Sequence, residues 1–256
     1  MAQGVKEIIL VAQETTLYGK DLYGEKSLHK LLRELCKISG LRWIRILYCY
    51  PEEITDELIQ VIKEEDKICN YLDLPIQHAS DGILKRMGRR TSKEQLVEII
   101  GKLRKEIPDI AIRTTLITGF PGETQEQHEE LMEFVDEMEF DRLGVFTYSP
   151  EEDTPAAVMP DQIPEDVKED RQAELMELQQ DISAELGERR IGQELLVMIE
   201  GKVADEDAYV GRSQADAPGV DGYVFVNTPE TLVSGDFVRV KITGALEYDL
   251  IGEISQ

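Results

Sequence analysis

Polar side chains gather just past the apolar runs of this 256-residue chain. Gln13-Glu14-Thr15-Thr16, Tyr50-Pro51-Glu52, Gln77-His78-Ala79-Ser80, Gly119 to Glu123 and Tyr148-Ser149-Pro150 each follow one such run. Their amides, hydroxyls and carboxylates are the donors and acceptors that hold a polar ligand. The most abrupt is TLITGFPGET, Thr115 to Thr124, where two glycines bracket Phe120-Pro121 before an acidic, helix-starting sequence. It reads either as a tight strand-to-helix turn or as a place where a ligand lies against backbone, which glycine permits. Arg113 sits inside an apolar run, where an unpaired charge is costly, so a carboxylate partner is expected, from this chain or from a ligand. His78, alone after a strand, reads as a satisfied loop residue and not as a catalyst, and MGRR, Met87 to Arg90, as a solvated basic turn.

Five apolar runs have to position these groups: 7–13, 43–50, 69–77, 111–120 and 142–149. Between them Leu28, Leu31, Leu32, Leu35 and Ile38 share a helical face, as do Leu58, Ile59 and Ile62, and then Leu96, Ile99, Ile100, Leu103 and Ile107. Thr124 with Gln127 fits a capping box, ahead of Leu131, Phe134, Val135 and Met138. Alternating strands and helices predict a parallel sheet, doubly wound or barrel-like, whose ligands bind at the C-terminal strand ends. Pro150, Pro155, Pro160 and Pro164 then punctuate an acidic stretch, and a long helix is expected over about 165–188. After Gly192 five short strand-like runs predict a small all-β barrel.

The chain carries 52 acids against 28 bases, a net charge of −24, which repels phosphate backbones and attracts a basic protein. The small barrel has twelve acids (Glu194, Glu200, Asp205, Glu206, Asp207, Asp216, Asp221, Glu230, Asp236, Glu247, Asp249, Glu253) and four bases (Lys202, Arg212, Arg239, Lys241). That sign disfavours nucleic acid and favours a basic protein target. Cys36, Cys49 and Cys69 have no pair spacing and read as reduced packing thiols, in a helix and two strands, of a cytoplasmic protein. No apolar run is long enough for a bilayer, and the N-terminus lacks the marks of a signal peptide.

VAQETTLYGKDLYG, LYCYPEEITDELI, YLDLPIQHASDGILKRMGRR, RTTLITGFPGET and GVFTYSPEEDTPAA together resemble the methylthiotransferase branch of the radical S-adenosylmethionine enzymes. GRSQADAPGVDGYVFV and GDFVRVKITGALEYDLIGE resemble that family's TRAM domain, and DAPGVDG its RimO-type branch, which modifies an aspartate of the twelfth small-subunit ribosomal protein. The resemblance covers nearly the whole chain. It implies a partial TIM-like radical SAM barrel over 1–160, a linking helix over 161–190 and a TRAM barrel over 191–256. It implies S-adenosylmethionine as cofactor, two 4Fe-4S clusters in the intact enzyme, and a basic ribosomal protein as substrate.

The resemblance also assigns site residues. Glu14, beside Gln13, would grip the cofactor's ammonium; Gln77 and Ser80 would hydrogen-bond its ribose or methionine part; Arg113 would meet its carboxylate. In the family's GxIxGxxE motif Thr115 replaces the first Gly, Ile117 and Gly119 match, and the acid comes one position late, at Glu123. Ile117 would pack on the adenine, Gly119 would admit the cofactor to backbone, and Phe146 and Tyr148 would border the adenine. The family's CxxxCxxC loop has no counterpart, so no catalytic or metal residue is assigned, and the chain is expected to be the C-terminal part of the enzyme, inert alone. The alternatives are a tRNA methylthiotransferase, whose TRAM domain should be basic, and a non-catalytic module that binds a ribosomal protein.

Overall fold

The structure is a computed structural model and describes residues 4–255. Met1 to Gln3 and Gln256, assigned above to the first and last domains, lie outside the described residues. Strands β1 (Glu7–Leu10), β2 (Trp43–Ile46), β3 (Ile68–Asp73), β4 (Ala111–Thr118) and β5 (Arg142–Thr147) form one all-parallel sheet in that order. The anticipated parallel α/β unit is therefore present. The strands are shorter than the apolar runs. The first stops at Leu10, before Glu14 caps a short 3-10 turn, and the second stops at Ile46, before Tyr48 turns to a φ of 57°. Cys49 consequently lies beyond β2 and not within it.

The crossovers carry helices α1 (Lys20–Tyr23), α2 (Leu28–Cys36), α3 (Asp56–Glu64), α4 (Asp81–Arg86), α5 (Lys93–Glu106) and α6 (Gln125–Met138). Ser92 and Thr124 open α5 and α6 with capping boxes, each closed by a glutamine three residues on. The buried helix positions, among them Leu32, Ile62, Ile100 and Leu131, cover one sheet face, where Ile44, Leu72, Ile112 and Leu116 meet them. Helix α7 (Glu165–Glu188) runs along β5. Gln172 donates to Val145 O at 2.6 Å, Gln179 to Phe140 O at 2.8 Å and Lys168 to Tyr148 O at 2.8 Å. Side-chain donors thus take up one carbonyl within this edge strand and one just beyond each of its ends.

Strands β6 (Glu194–Lys202), β7 (Ala208–Arg212), β8 (Val224–Asn227), β9 (Phe237–Ala245) and β10 (Leu250–Ile254) close into the expected barrel, in the order β10-β8-β7-β6-β9. Val197, Ile199, Val224, Val226, Val240 and Ile242 fill it. Its Met198, Ala215 and Ala217 pack against Trp43, Tyr71 and Ala111 on the second face of the parallel sheet. The two units therefore share a core.

Candidate functional site

Beyond β3 the chain re-enters the sheet at one residue. Gln77, at φ 73°, donates its N–H to Thr115 O at 2.9 Å and accepts from Ile117 N at 2.8 Å. This bridge holds Gln77 at the C-terminal end of β4. Its Oε1 is buried and has no hydrogen-bond partner among the described residues. Gln77 lines a cleft of about 580 Å³ at the C-terminal ends of β3, β4 and β5. Ile117 and Phe146 contribute from the strands, Arg86 and Met87 from the end of α4, and Ala156 and Met159 from the proline-rich segment after β5. Phe120 and Tyr148 meet edge to face at 5.1 Å behind Ile117, while Phe146 stays 59% exposed. An apolar slot with a few polar groups is the usual form of a small-molecule site.

The TLITGFPGET segment is closed by its own acid. Glu123 folds back, and its Oε2 accepts from Gly119 N at 2.8 Å and Phe120 N at 3.3 Å. Its Oε1 accepts from Arg171 of α7 at 2.8 Å. His78 places Nε2 3.5 Å from Glu123 Oε2, an electrostatic contact longer than a hydrogen bond, and accepts from Ser80 N at its Nδ1. Burial alone would raise the Glu123 carboxyl, but His78, Arg171 and the Gly119 N–H together hold it below its ordinary value. Gly119 has a φ of +70°, and a Cβ there would overlap the Lys168 side chain. The tight turn is thus what the segment builds, and the space above Gly119 belongs to Lys168.

The remaining expected residues lie apart from the cleft. Gln13 is exposed and Glu14 half-buried. Glu14 accepts from Thr16 and, through Oε2, from Tyr50 N at 2.9 Å, and burial raises its carboxyl despite these bonds. Ser80 is buried at the start of α4. Arg113 pairs with Asp73 at 2.8 Å and with Asp221 at 3.4 Å, so its expected carboxylate comes from within the chain. The structure brings Gln77, Ile117 and Phe146 to one cleft and leaves Gln13, Glu14, Ser80, Arg113 and Gly119 outside its walls.

Asp221 belongs to the GRSQADAPGVDG loop, which seats on the inner face of the sheet. Asp216 pairs with Arg142, and Asp221 accepts from Tyr71 OH at 2.7 Å. Arg45, fully buried on β2, reaches Glu7 at 3.0 Å and Gln214 O at 2.7 Å. Arg212 bonds Glu7 at 2.6 Å and also Glu200. Asp216, Asp221 and Glu200 are therefore engaged inside the molecule. The sequence reading missed Arg45 and Arg86; the strict alternation of WIRI, which puts Arg45 on the face of Trp43, was the available sign of the first.

The three thiols do not converge. Burial pushes Cys36 up to about 11, Cys69 to about 12 and Cys49 well above its usual value. No group of three or more His, Cys, Asp or Glu side chains placed to hold a metal ion occurs among the described residues. No described helix is long and apolar enough to cross a membrane.

Residues 1–135 match the radical SAM superfamily and residues 191–254 the TRAM domain. A protein of Lachnoclostridium phytofermentans named ribosomal protein uS12 methylthiotransferase RimO is 66% identical over 97% of this chain and 57% of its own length. Proteins of the same name from Clostridium botulinum and Desulfitobacterium hafniense are 55% and 54% identical, over 98% and 100% of this chain and 56% and 57% of their own. The chain thus spans a little over half the length of these curated relatives. The solved radical S-adenosylmethionine methyltransferase TsrM of Kitasatospora setae is a looser likeness, at TM-score 0.49 and 17% identity over 61% of this chain and 30% of that one. By its matches over both units, the chain belongs to the radical SAM superfamily and ends in a TRAM domain.

Proposed function

We propose that this chain binds S-adenosylmethionine and docks a basic ribosomal protein within a radical SAM methylthiotransferase, which adds a methylthio group to the β-carbon of an aspartate of uS12. The cleft at the ends of β3 to β5 carries the reading: it joins an apolar floor to a buried amide oxygen, Gln77 Oε1, that has no donor among the described residues. A ribose hydroxyl supplies that donor, and Ile117 and Phe146 lie against the purine. The names of the relatives that match along the chain support the reaction class. S-adenosylmethionine supplies the methyl group and the source of the radical. The protein's share is to orient it and keep water from the reacting carbon. The reaction also calls for two 4Fe-4S clusters, and the half-buried Cys36 and the buried Cys49 and Cys69, which do not converge and have raised thiols, do not fit as their ligands.

The domain reading is a core over 1–160, a linking helix over 161–190 and a TRAM domain over 191–256. For docking, the acids left free matter. Asp205, Glu206, Asp207 and Glu230 are exposed, and Thr228 N donating to Asp207 O brings their two loops to one end of the barrel. That end attracts a basic protein and repels RNA, which favours the ribosomal protein over tRNA and a cytoplasmic setting.

Calorimetric titration of the full chain with S-adenosylhomocysteine should saturate at one site, and Gln77→Ala should weaken it about tenfold, the scale of one hydrogen bond. Absence of saturable heat from the wild-type chain sinks the cofactor reading. Capture of uS12 in competition with tRNA decides the docking reading, and a preference for tRNA overturns it.

A further inference from the structure

Arg86 stands out among the cations of this acidic chain. Arg45, Arg113, Arg142, Arg171 and Arg212 all sit in ion pairs. Arg86, the last residue of α4, is exposed on the wall of the cleft, and no carboxylate lies within ion-pair distance of it among the described residues. Its neighbour on the same wall, Arg89, is already committed: it donates to Pro75 O at 2.9 Å and its guanidinium lies 4.8 Å over the Tyr50 ring. The Arg86 guanidinium packs against Gly122, at φ +79°, where any Cβ would overlap it. A planar two-pronged donor that lies against backbone beside an apolar cleft and is left without an acid can receive one.

We propose that Arg86 is a specificity-determining residue that receives the carboxylate of the side chain to be modified, so that the cleft distinguishes an aspartate from its amide. This rests on the methylthiotransferase reading above. The carboxylate of the cofactor has the same chemistry, and the experiment separates the two sources.

The full chain is titrated with a uS12 peptide carrying the target aspartate, with the same peptide bearing asparagine there, and with S-adenosylhomocysteine. The expected result is a preference for the aspartate peptide of about tenfold or more, the scale of a charge-assisted hydrogen bond. Arg86→Met should bring that preference close to one, and Arg86→Lys should restore part of it. The ratio of two peptides on one variant is insensitive to a partly unfolded sample. A preference unchanged in Arg86→Met overturns the proposal while the reading stands. So does a loss of S-adenosylhomocysteine affinity with the peptide preference intact, which assigns Arg86 to the cofactor. If the wild-type chain binds neither peptide nor S-adenosylhomocysteine, the reading and the proposal fall together.

Discussion

Glu123 and Arg171 meet at 2.8 Å in the interior and tie the turn after β4 to the long helix α7. Both side chains are nearly inaccessible, and the same carboxylate collects the N–H groups of Gly119 and Phe120. Removing one partner of a buried pair strands the other charge, at a cost of about 3–5 kcal/mol. Glu123→Ala and Arg171→Met should each lower unfolding stability on that scale, and the double variant should lose much less than the sum. Additive losses in a double-mutant cycle would show that the two act separately.

The same carboxylate gives stability a signed pH dependence. Its folded value lies below the ordinary 4.5, so the unfolded chain binds the proton more readily. Its contribution is fully present above about pH 5 and is lost as pH falls through the folded value. Between about pH 6 and pH 3 the urea midpoint of the wild type should fall further than that of Glu123→Gln. Parallel falls would remove Glu123 from the acid limb.

Gly119→Ala should destabilise by about 2 kcal/mol, from a left-handed backbone and from displacement of the buried Lys168 stem. Chemical denaturation measures it. A loss below about 0.5 kcal/mol would mean that Lys168 moves freely, contrary to its bond to Tyr148 O.

Asp216 accepts from Arg142 and from Ser213, joining the C-terminal barrel to the parallel sheet. Asp216→Ala should uncouple them, so that one calorimetric transition becomes two. A single, merely shifted transition would show that the shared apolar core and the remaining pairs, Glu7–Arg212 and Arg113–Asp221, suffice to couple them.

Thiol chemistry provides a separate check on burial. At about pH 8 a thiol reagent should label Cys36 slowly and spare Cys49 and Cys69 until the chain unfolds, since burial holds all three thiols protonated. Fast labelling of Cys69 in the native chain would contradict its place in β3.

The sequence made its local rules readable. Helical faces, the Thr124 cap and five parallel strands follow from periods of two and 3.6 residues and from end signals within a few residues of each other. Partners distant in sequence were not readable. That Arg113 required a carboxylate followed from its burial; that Asp73 and Asp221 supply it depends on register and on a loop more than one hundred residues on. Gly119 was recognised as a special position, but the neighbour that fills its space, Lys168, lies on another element. Glu123 appeared as a displaced motif acid, and only the folded turn shows it as the residue that closes that turn.

The Glu7–Arg212 pair, finally, has a consequence for how the molecule is made. Its partners lie 205 residues apart, and the buried Arg45 beside them also waits for Gln214. A ribosome adding about 5–20 residues per second delivers Arg212 at least about ten seconds after Glu7. During that interval the first strands carry charges with no interior to enter, so the inner face of the sheet is a late product of synthesis. The nascent sheet unit must stay hydrated on that side, and available to chaperones, until Arg212 and Gln214 have emerged.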